Sequence, residues 1–184
     1  MTTKILTLPG YCGSGEGHWQ SIWENEFDNI QRVEQDDWNH PQLASWVERL
    51  EDYIQNVQNT HKEEKILLLG HSLACSLISH WAVAHDSSSI IGALLVSPAD
   101  VDSPEHTPEE VRNFMPMPLA KLPFKSIVVA SDNDPYVSLE RATFFANSWG
   151  SRFINIGPHG HINADSELSS WEFGKELIHT LNQG

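Results

Sequence analysis

The sequence predicts a single domain of three-layer α/β architecture, in which about six mostly parallel strands carry helices on both faces. Short apolar runs alternate along the chain with segments of helical periodicity, which is the pattern of repeated strand–helix units. A length of 184 residues is sufficient for one domain with a sizeable hydrophobic core. Hydrophobic residues make up 40% of the chain, and seven tryptophans among them indicate a packed globule.

Apolar runs rich in leucine and β-branched residues define the strands. These runs are too short for helices, and turn-forming residues follow most of them. The predicted strands are Lys4–Leu8, Ile30–Val33, Lys65–Leu69, Ile90–Val96, Ser126–Ala130 and Arg152–Ile156. Their alternation with helices is typical of a parallel sheet that is covered on both faces.

Helical patterns fill most of the segments between the strands. The clearest helix begins near Pro41, a favoured first helical position, and runs to about Gln58, because its apolar residues recur on one face. Further helices begin near His18 and follow Ser72, Ser138 and Ser166.

The connection from Ser97 to Lys125 is the only segment with room to cover a site, and it is too short for a large cap domain. Within it, Thr107-Pro-Glu-Glu110 has the spacing of a capping box with proline in the first turn. This spacing predicts a short helix through Phe114. The proline-rich residues 115–123 that follow are expected to form a loop.

Acidic residues dominate the charge, since 25 Asp and Glu against 11 Lys and Arg give a formal net charge of -14. We expect neither a nucleic-acid nor a membrane partner, because phosphate backbones and anionic lipids would be repelled. The N-terminal apolar segment is too short for a signal peptide, no run approaches a membrane span, and two cysteines make no disulfide framework. These features predict a cytoplasmic protein. A protein partner has no signature in the sequence.

The segment most informative about chemistry is Lys65-Ile-Leu-Leu-Leu-Gly-His-Ser-Leu-Ala-Cys75. A predicted strand leads into Gly70 and Ser72, and a helix-forming segment follows. This is the layout of a nucleophile elbow, where a serine on a tight strand-to-helix turn holds its hydroxyl clear of the sheet. The crowded backbone of such a turn requires small residues on either side, which Gly70 and Ala74 supply. Ser72 is therefore the predicted nucleophile.

A serine hydroxyl needs a neighbouring base, and that base needs an orienting acid. In α/β-hydrolases the acid and then the histidine follow the serine, each at the carboxyl end of a later strand. Asp132 and Asp134 both follow the fifth predicted strand, and Asp134 is preferred because the proline after it holds the loop extended. After the sixth strand, His161 follows a glycine and precedes the last helix, so it is preferred to His159.

An oxyanion hole needs backbone N–H donors that point at the developing negative charge. Leu73 follows the predicted nucleophile at the start of a helix, where free N–H groups and the helix dipole coincide. The second donor is expected in the glycine-rich loop after the first strand, with the N–H of Tyr11 as the candidate. That loop lacks nucleotide-binding spacing, and His159 and His161 have no nearby ligand cluster. No nucleotide, metal or other cofactor is therefore expected.

Several motifs occur in order along nearly the whole chain: Leu8-Pro-Gly10, Gly13-Ser-Gly15, His18-Trp-Gln-Ser-Ile-Trp23, Gly70-His-Ser-Leu-Ala-Cys75, Val96-Ser-Pro-Ala99, Asp134-Pro135 and Gly160-His161. In this combination the chain resembles the small serine hydrolases typified by retinoblastoma-binding protein nine and bacterial YdeN. The resemblance implies a compact α/β-hydrolase fold without the first two strands of the larger enzymes. It also implies a catalytic triad of Ser72, Asp134 and His161, and Ala74 is usual in this family.

These features predict two-step acyl transfer on a small ester-like substrate through an acyl-enzyme intermediate. Trp19, Phe114 and Met115 are candidates to line the substrate site, and each could equally fill the core. Two alternatives remain open. One is a thioesterase or peptidase that uses the same three residues, and the other is a hydrolase-fold protein that acts mainly through protein contacts.

Overall fold

The computed structural model describes residues 3–183 and contains a six-stranded sheet whose paired strands are all parallel. The strands are β1 (Thr3–Leu8), β2 (Ile30–Arg32), β3 (Lys65–His71), β4 (Ile90–Val96), β5 (Lys125–Ala130) and β6 (Arg152–Asn155). Their order across the sheet is β2-β1-β3-β4-β5-β6. Strand β2 thus lies on one side of β1, and β3 to β6 follow in order on its other side. Loops leaving β1 and β3 diverge at this point, where open parallel sheets form ligand crevices.

Five α-helices cover the two faces of this sheet. They are α1 (Trp19–Glu26), α2 (Leu43–Thr60), α3 (Leu73–Ala84), α4 (Leu139–Trp149) and α5 (Glu172–Asn182). The buried residues of α2, α3 and α4 pack in one hydrophobic cluster, whereas those of α1 and α5 pack in the other. The predicted three-layer α/β fold is therefore confirmed. Within residues 3–183, no helix is both long and apolar enough to cross a bilayer.

Strand β3 shows why its sequence is apolar at successive positions. Ile66 and Leu68 belong to the cluster under α2, α3 and α4, whereas Leu67 and Leu69 belong to the cluster under α1 and α5. Successive side chains of a strand point to opposite faces, so a strand covered on both sides needs apolar residues throughout. All four side chains are fully buried. The strand that leads into Ser72 is thus held by packing from both faces.

The last helix begins later than the sequence predicts. After Ser166 we expected α-helix, but Ala164–Ser166 forms only a 3-10 turn and α5 begins at Glu172. Trp171 adopts a left-handed backbone with φ 40°, and its indole covers the first turn of α5. A Cβ on Gly174 would lie 2.3 Å from Cε3 of Trp171. The packing of this indole, which local propensity does not encode, sets where the helix starts.

Residues 97–124, which we call the cover segment, connect β4 to β5. The structure describes all of them, and Glu109–Phe114, a 3-10 helix, is their only helix or strand. The predicted capping box does not form, because the Thr107 hydroxyl donates to loop carbonyls instead. Arg112 donates to the carbonyl of Val101 at 2.8 Å. The cover segment is therefore a loop held by internal hydrogen bonds, and no large cap domain is present within residues 3–183.

Two histidines are buried near the carboxyl ends of β1 and β3. His71 is the last residue of β3, and His18 caps α1 by accepting a hydrogen bond at Nδ1 from the N–H of Gln20. Burial lowers the pKa of His18 to about 3, with smaller effects from His161 and Arg32. Burial also lowers the pKa of His71 well below its ordinary value. Both rings are therefore neutral near pH 7.

This burial makes the stability of the fold depend on pH. Below about pH 6.5 an unfolded histidine binds a proton, whereas His18 in the folded chain does not. The unfolded state then holds more protons, so the free energy of unfolding falls as the pH drops from about 6.5 toward the folded pKa of about 3. In urea titrations, His18→Phe should lower the slope of that free energy against pH by up to about 1.4 kcal/mol per unit.

The matched control is His61→Gln, because His61 is exposed at the end of α2. This variant should keep the wild-type slope between about pH 6.5 and about pH 4. Equal slopes for wild type and His18→Phe would show that His18 binds a proton equally well in the folded and unfolded chain.

Candidate active site

Ser72 occupies the turn between the end of β3 at His71 and the start of α3 at Leu73. Its backbone has φ 58° and ψ -120°, a conformation that is strained for a residue with a side chain. The N–H of Ser72 donates to the carbonyl of Val96 at 2.9 Å, which ties the turn to the end of β4. The turn has the strand-to-helix geometry that the sequence predicts for a nucleophile elbow.

Close packing around this turn explains two glycines. A Cβ on Gly70 would lie 2.7 Å from Cδ1 of Ile78 on α3, so the Ile78 side chain would have to shift to admit a larger residue. A Cβ on Gly10 would lie 2.9 Å from the carbonyl oxygen of His71 and 2.9 Å from Cβ of Ser72. Only glycine lets the loop after β1 approach the turn this closely. The sequence indicated the constraint at position 70 but not the one at position 10.

Asp134 and His161 form a buried pair beside the turn. Nδ1 of His161 lies 2.9 Å and 3.0 Å from the two carboxylate oxygens of Asp134. The Asp134 side chain is fully buried, and its Oδ1 also accepts a hydrogen bond from the N–H of Tyr136 at 2.9 Å. Because a carboxylate only accepts, Nδ1 of His161 carries the proton and Nε2 is free to act as a base.

The two alternatives from the sequence lie away from this pair. Asp132 is exposed, and its Oδ1 accepts a hydrogen bond from the Asn155 amide at 2.6 Å. His159 is half-buried and lies outside the set of residues that line the cavity at Ser72. The structure therefore brings together Ser72, Asp134 and His161 and leaves Asp132 and His159 outside.

The residues that carry the two predicted oxyanion donors lie where the loop after β1 packs against the Ser72 turn. Tyr11 and Leu73 both line the cavity beside Ser72. A Cβ on Gly10, the residue before Tyr11, would lie 3.2 Å from the Leu73 nitrogen. Within residues 3–183, neither the Tyr11 N–H nor the Leu73 N–H has a hydrogen-bond acceptor. Two residues of the cavity lining thus carry unpaired backbone donors, which an oxyanion hole requires.

A buried polar network holds the loop that carries Tyr11. The Gln20 amide donates to the carbonyls of Leu8 and Leu69, so α1 links the ends of β1 and β3. Gln20 also accepts a hydrogen bond from the Ser14 hydroxyl, at 2.8 Å. These contacts fix the path of the loop over the sheet. The sequence contained no signal for this role of Gln20 beyond its place in the His18–Trp23 motif.

Arg32 extends this network from the end of β2. Its guanidinium binds both carboxylate oxygens of Glu24 and donates to the carbonyl of Ser14 at 3.1 Å and to the Ser21 hydroxyl at 2.7 Å. Glu24 in turn accepts from the Thr7 hydroxyl. These residues have no signature in the sequence, because their pairing depends on how α1 crosses β1 and β2.

The cavity beside Ser72 has a volume of about 330 Å³. Its walls combine the β1 loop, the Ser72 turn, the cover segment and the loops around His161. The lining residues that the sequence did not identify as site residues include Cys12, His18, His71, Ala99, Thr107, Val111, Tyr136, Asn163 and Ala164. The lining, which lies within the described residues, contains no aspartate, glutamate, lysine or arginine.

The three predicted substrate contacts do not line this cavity. Trp19 is buried and donates its indole N–H to the carbonyl of Ile162 at 2.9 Å. Phe114 is fully buried and packs edge-on against Trp46, so it fills the core. Met115 is exposed and caps the end of the 3-10 helix. Large apolar residues near a site are often used for packing, and sequence spacing alone did not separate the two uses.

Metal-binding side chains do not converge in the described part of the chain. Within residues 3–183, no group of three or more histidine, cysteine, aspartate or glutamate side chains is placed to hold a metal ion. Both cysteines are free thiols, with Cys12 exposed at the cavity and Cys75 buried in α3.

Comparisons with known proteins place this geometry in a family. Among solved structures, a YdeN-like hydrolase from Pectobacterium atrosepticum is 28% identical, has a TM-score of 0.84, and aligns over 99% of this chain and 91% of its own. The ydeN gene product of B. subtilis is 17% identical, with a TM-score of 0.75 and 100% of both chains covered. Est1E from Butyrivibrio proteoclasticus is 15% identical, with a TM-score of 0.75 over 100% of this chain and 89% of its own. The last two likenesses concern the fold alone.

A comparison with curated protein sequences gave no significant match. The profile of the serine hydrolase family, by contrast, matches residues 5–180. This range includes the Ser72 turn, the Asp134–His161 pair and the loop that carries Gly10. On the strength of this match, the chain belongs to the serine hydrolase family.

Proposed function

We propose that this hydrolase cleaves an ester-type bond of a small substrate through a triad of Ser72, His161 and Asp134 and an acyl-enzyme intermediate. One observation carries the proposal: Nδ1 of His161 lies 2.9 Å from a buried carboxylate oxygen of Asp134, and the imidazole lines the same cavity as a serine on a strained turn. This arrangement matches the roles of acid, base and nucleophile in the Ser-His-Asp mechanism.

In the first step, Ser72 Oγ attacks the carbonyl carbon of the ester while His161 Nε2 takes the hydroxyl proton. Asp134 keeps the imidazole in the tautomer that leaves Nε2 unprotonated, and it stabilises the imidazolium that forms. The N–H groups of Tyr11 and Leu73 bind the oxyanion of the tetrahedral intermediate. The intermediate collapses as the C–O bond breaks, and the alcohol leaves with the proton from His161.

In the second step, water attacks the acyl carbon of the ester formed at Ser72. His161 takes a proton from this water and then returns it to Ser72 Oγ as the acyl–serine bond breaks. The acid leaves, and the site regains its starting protonation state. All the groups that this mechanism requires are side chains and backbone N–H groups of this chain.

The substrate we propose is small and carries an uncharged acyl group. A volume of about 330 Å³ is at the low end for ligand pockets, and the absence of a charged side chain from the lining leaves a buried carboxylate of the acyl group without a partner. Several structural neighbours are esterases by name, among them Est1E, described with ferulic acid bound, and RhEst1 from a Rhodococcus species. At 14% identity these neighbours support the reaction type only through the shared fold.

A cytoplasmic location is part of the proposal. Two free thiols suit a reducing compartment, and the net charge of -14 does not suit an anionic membrane surface or a nucleic acid.

Ser72→Ala is the first test of the proposed nucleophile. A fluorescent fluorophosphonate should label the wild-type protein, because an activated serine attacks phosphorus, and labelling and ester turnover should both be lost in the variant. A cavity cysteine is the main competing nucleophile, so Cys12→Ser is the control and should label normally. A folded wild-type protein that does not label would favour the role as a protein-interaction module.

Asp134→Asn tests the orienting acid. The amide cannot hold His161 in the required tautomer, so kcat should fall by about 10⁴-fold with a small change in KM. Asp132→Asn is the matched control from the same loop and should retain activity within about threefold, because Asp132 contacts Asn155 and not the imidazole. Equal losses in the two variants would contradict the assignment.

Charge selectivity tests the proposed substrate. The 4-nitrophenyl half ester of adipic acid should react with a kcat/KM at least about 100-fold below that of 4-nitrophenyl hexanoate, because its buried carboxylate has no partner. Ala164 lines the cavity and is exposed, so Ala164→Lys can add a cation without disturbing the core.

Ala164→Lys should raise the rate with the adipate half ester by about tenfold, from roughly 1.4 kcal/mol of charge pairing. Ala164→Met, which is similar in length and uncharged, is the control and should not change the ratio of the two rates. Similar wild-type rates with both esters would rule out the proposed preference for an uncharged acyl group. They would leave the proposal of ester hydrolysis itself intact.

A further inference from the structure

His71 lies directly before the nucleophile but does not belong to the proposed triad. Its ring is buried, and its Nε2 lies 2.8 Å from the backbone carbonyl oxygen of His161. A carbonyl only accepts, so Nε2 of His71 carries the proton and donates. This hydrogen bond joins the strand that leads into the proposed nucleophile to the loop that carries the proposed base, 90 residues later in the chain.

The loop around His161 is itself neither helix nor strand, so its path depends on contacts with other parts of the chain. Gly157, Gly160 and Ile162 have positive φ values of 81°, 56° and 48°, so the backbone on both sides of His161 follows an irregular path. Two buried side chains bind consecutive carbonyls of this loop: His71 binds that of His161, and Trp19 binds that of Ile162. The loop is thus fixed to the sheet and to α1 at the position of the imidazole.

The ring of His71 also packs against the imidazole that it positions. Its ring centroid lies 4.8 Å from that of His161 in an edge-to-face arrangement. The ring centroid of Tyr136 lies 4.4 Å from that of His161. His18 packs edge-on against His71 at 4.6 Å, so His71 has little freedom to turn. Because His71 is neutral, it does not repel the positive charge that develops on His161 when the proton moves.

We propose that His71 is a positioning residue for the hydrolytic reaction, whose Nε2–H hydrogen bond to the His161 carbonyl holds the base in reach of Ser72. The inference rests on the proposed function, because it assigns a role within the same triad. The size of the expected rate loss follows from geometry, because a displacement of a reacting group by about 1 Å reduces the rate by about 100-fold.

The test separates the hydrogen bond from the ring. His71→Phe keeps an aromatic ring and loses the donor, whereas His71→Gln keeps an N–H donor at a similar reach. With 4-nitrophenyl hexanoate, His71→Phe should lower kcat about 10- to 100-fold with KM within about twofold, and His71→Gln should stay within about threefold of wild type. Only turnover that Ser72→Ala abolishes is counted.

His80→Phe is the matched control. His80 Nε2 makes the same 2.8 Å hydrogen bond to a backbone carbonyl, that of Phe114, but lies outside the residues that line the cavity. Its loss should lower the thermal stability and leave kcat unchanged. A decrease in kcat that follows the folded fraction equally in His71→Phe and His80→Phe would overturn the proposal, as would a folded His71→Phe with wild-type kcat.

A second readout does not depend on turnover and therefore separates the proposal from the proposed function. A His161 Nδ1 proton held by the Asp134 carboxylate gives a low-field proton resonance in NMR spectra. This resonance should broaden or disappear in His71→Phe and persist in His71→Gln and His80→Phe. Its persistence in His71→Phe would overturn the positioning role, even for a protein that did not hydrolyse esters.

Discussion

The loop after β1 lies against the Ser72 turn at a distance that leaves no room for a methyl group on Gly10. This close approach brings Tyr11 into the lining of the same cavity as Leu73. It also packs the loop on a turn whose φ of 58° is strained. Neither element would form the proposed site alone, because the loop carries Tyr11 and the turn carries Ser72 and Leu73. The hydrogen bonds of Gln20 to the carbonyls of Leu8 and Leu69 hold the strands before these two backbones together.

The sheet topology explains why these two elements are neighbours. β1 and β3 are paired strands, and the chain leaves their carboxyl ends in different directions. Helix α1 then connects the ends of both strands through the single amide of Gln20. On the other side of β3, the Asp134 loop follows β5 and the His161 loop follows β6. Four loops at one edge of a parallel sheet thus carry the residues proposed as nucleophile, oxyanion donors, acid and base, and this edge is the usual place for such a site.

Features that depend on local patterns could be predicted from the sequence, whereas features that depend on tertiary packing could not. The strands, the Ser72 turn and the loop position of Asp134 follow from apolar runs, from a glycine motif and from a proline. The role of Phe114 was not predictable, because a buried aromatic residue has the same sequence pattern whether it faces a cavity or the core. The Arg32 network was missed because its partners meet only when α1 is docked. The start of α5 depends on where the Trp171 indole packs.

The uncharged cavity also bears on the end of each catalytic cycle. Cleavage of a neutral ester by Ser72 would produce a carboxylic acid that is ionised at pH 7, so an uncharged substrate would become an anion inside the site. The lining contains no lysine or arginine to retain that anion, and the surrounding molecule carries a net charge of -14. The carboxylate is therefore better solvated outside than inside, and electrostatic repulsion drives it away. On the proposed function, the same uncharged lining that disfavours acidic substrates would therefore also favour release of the acidic product.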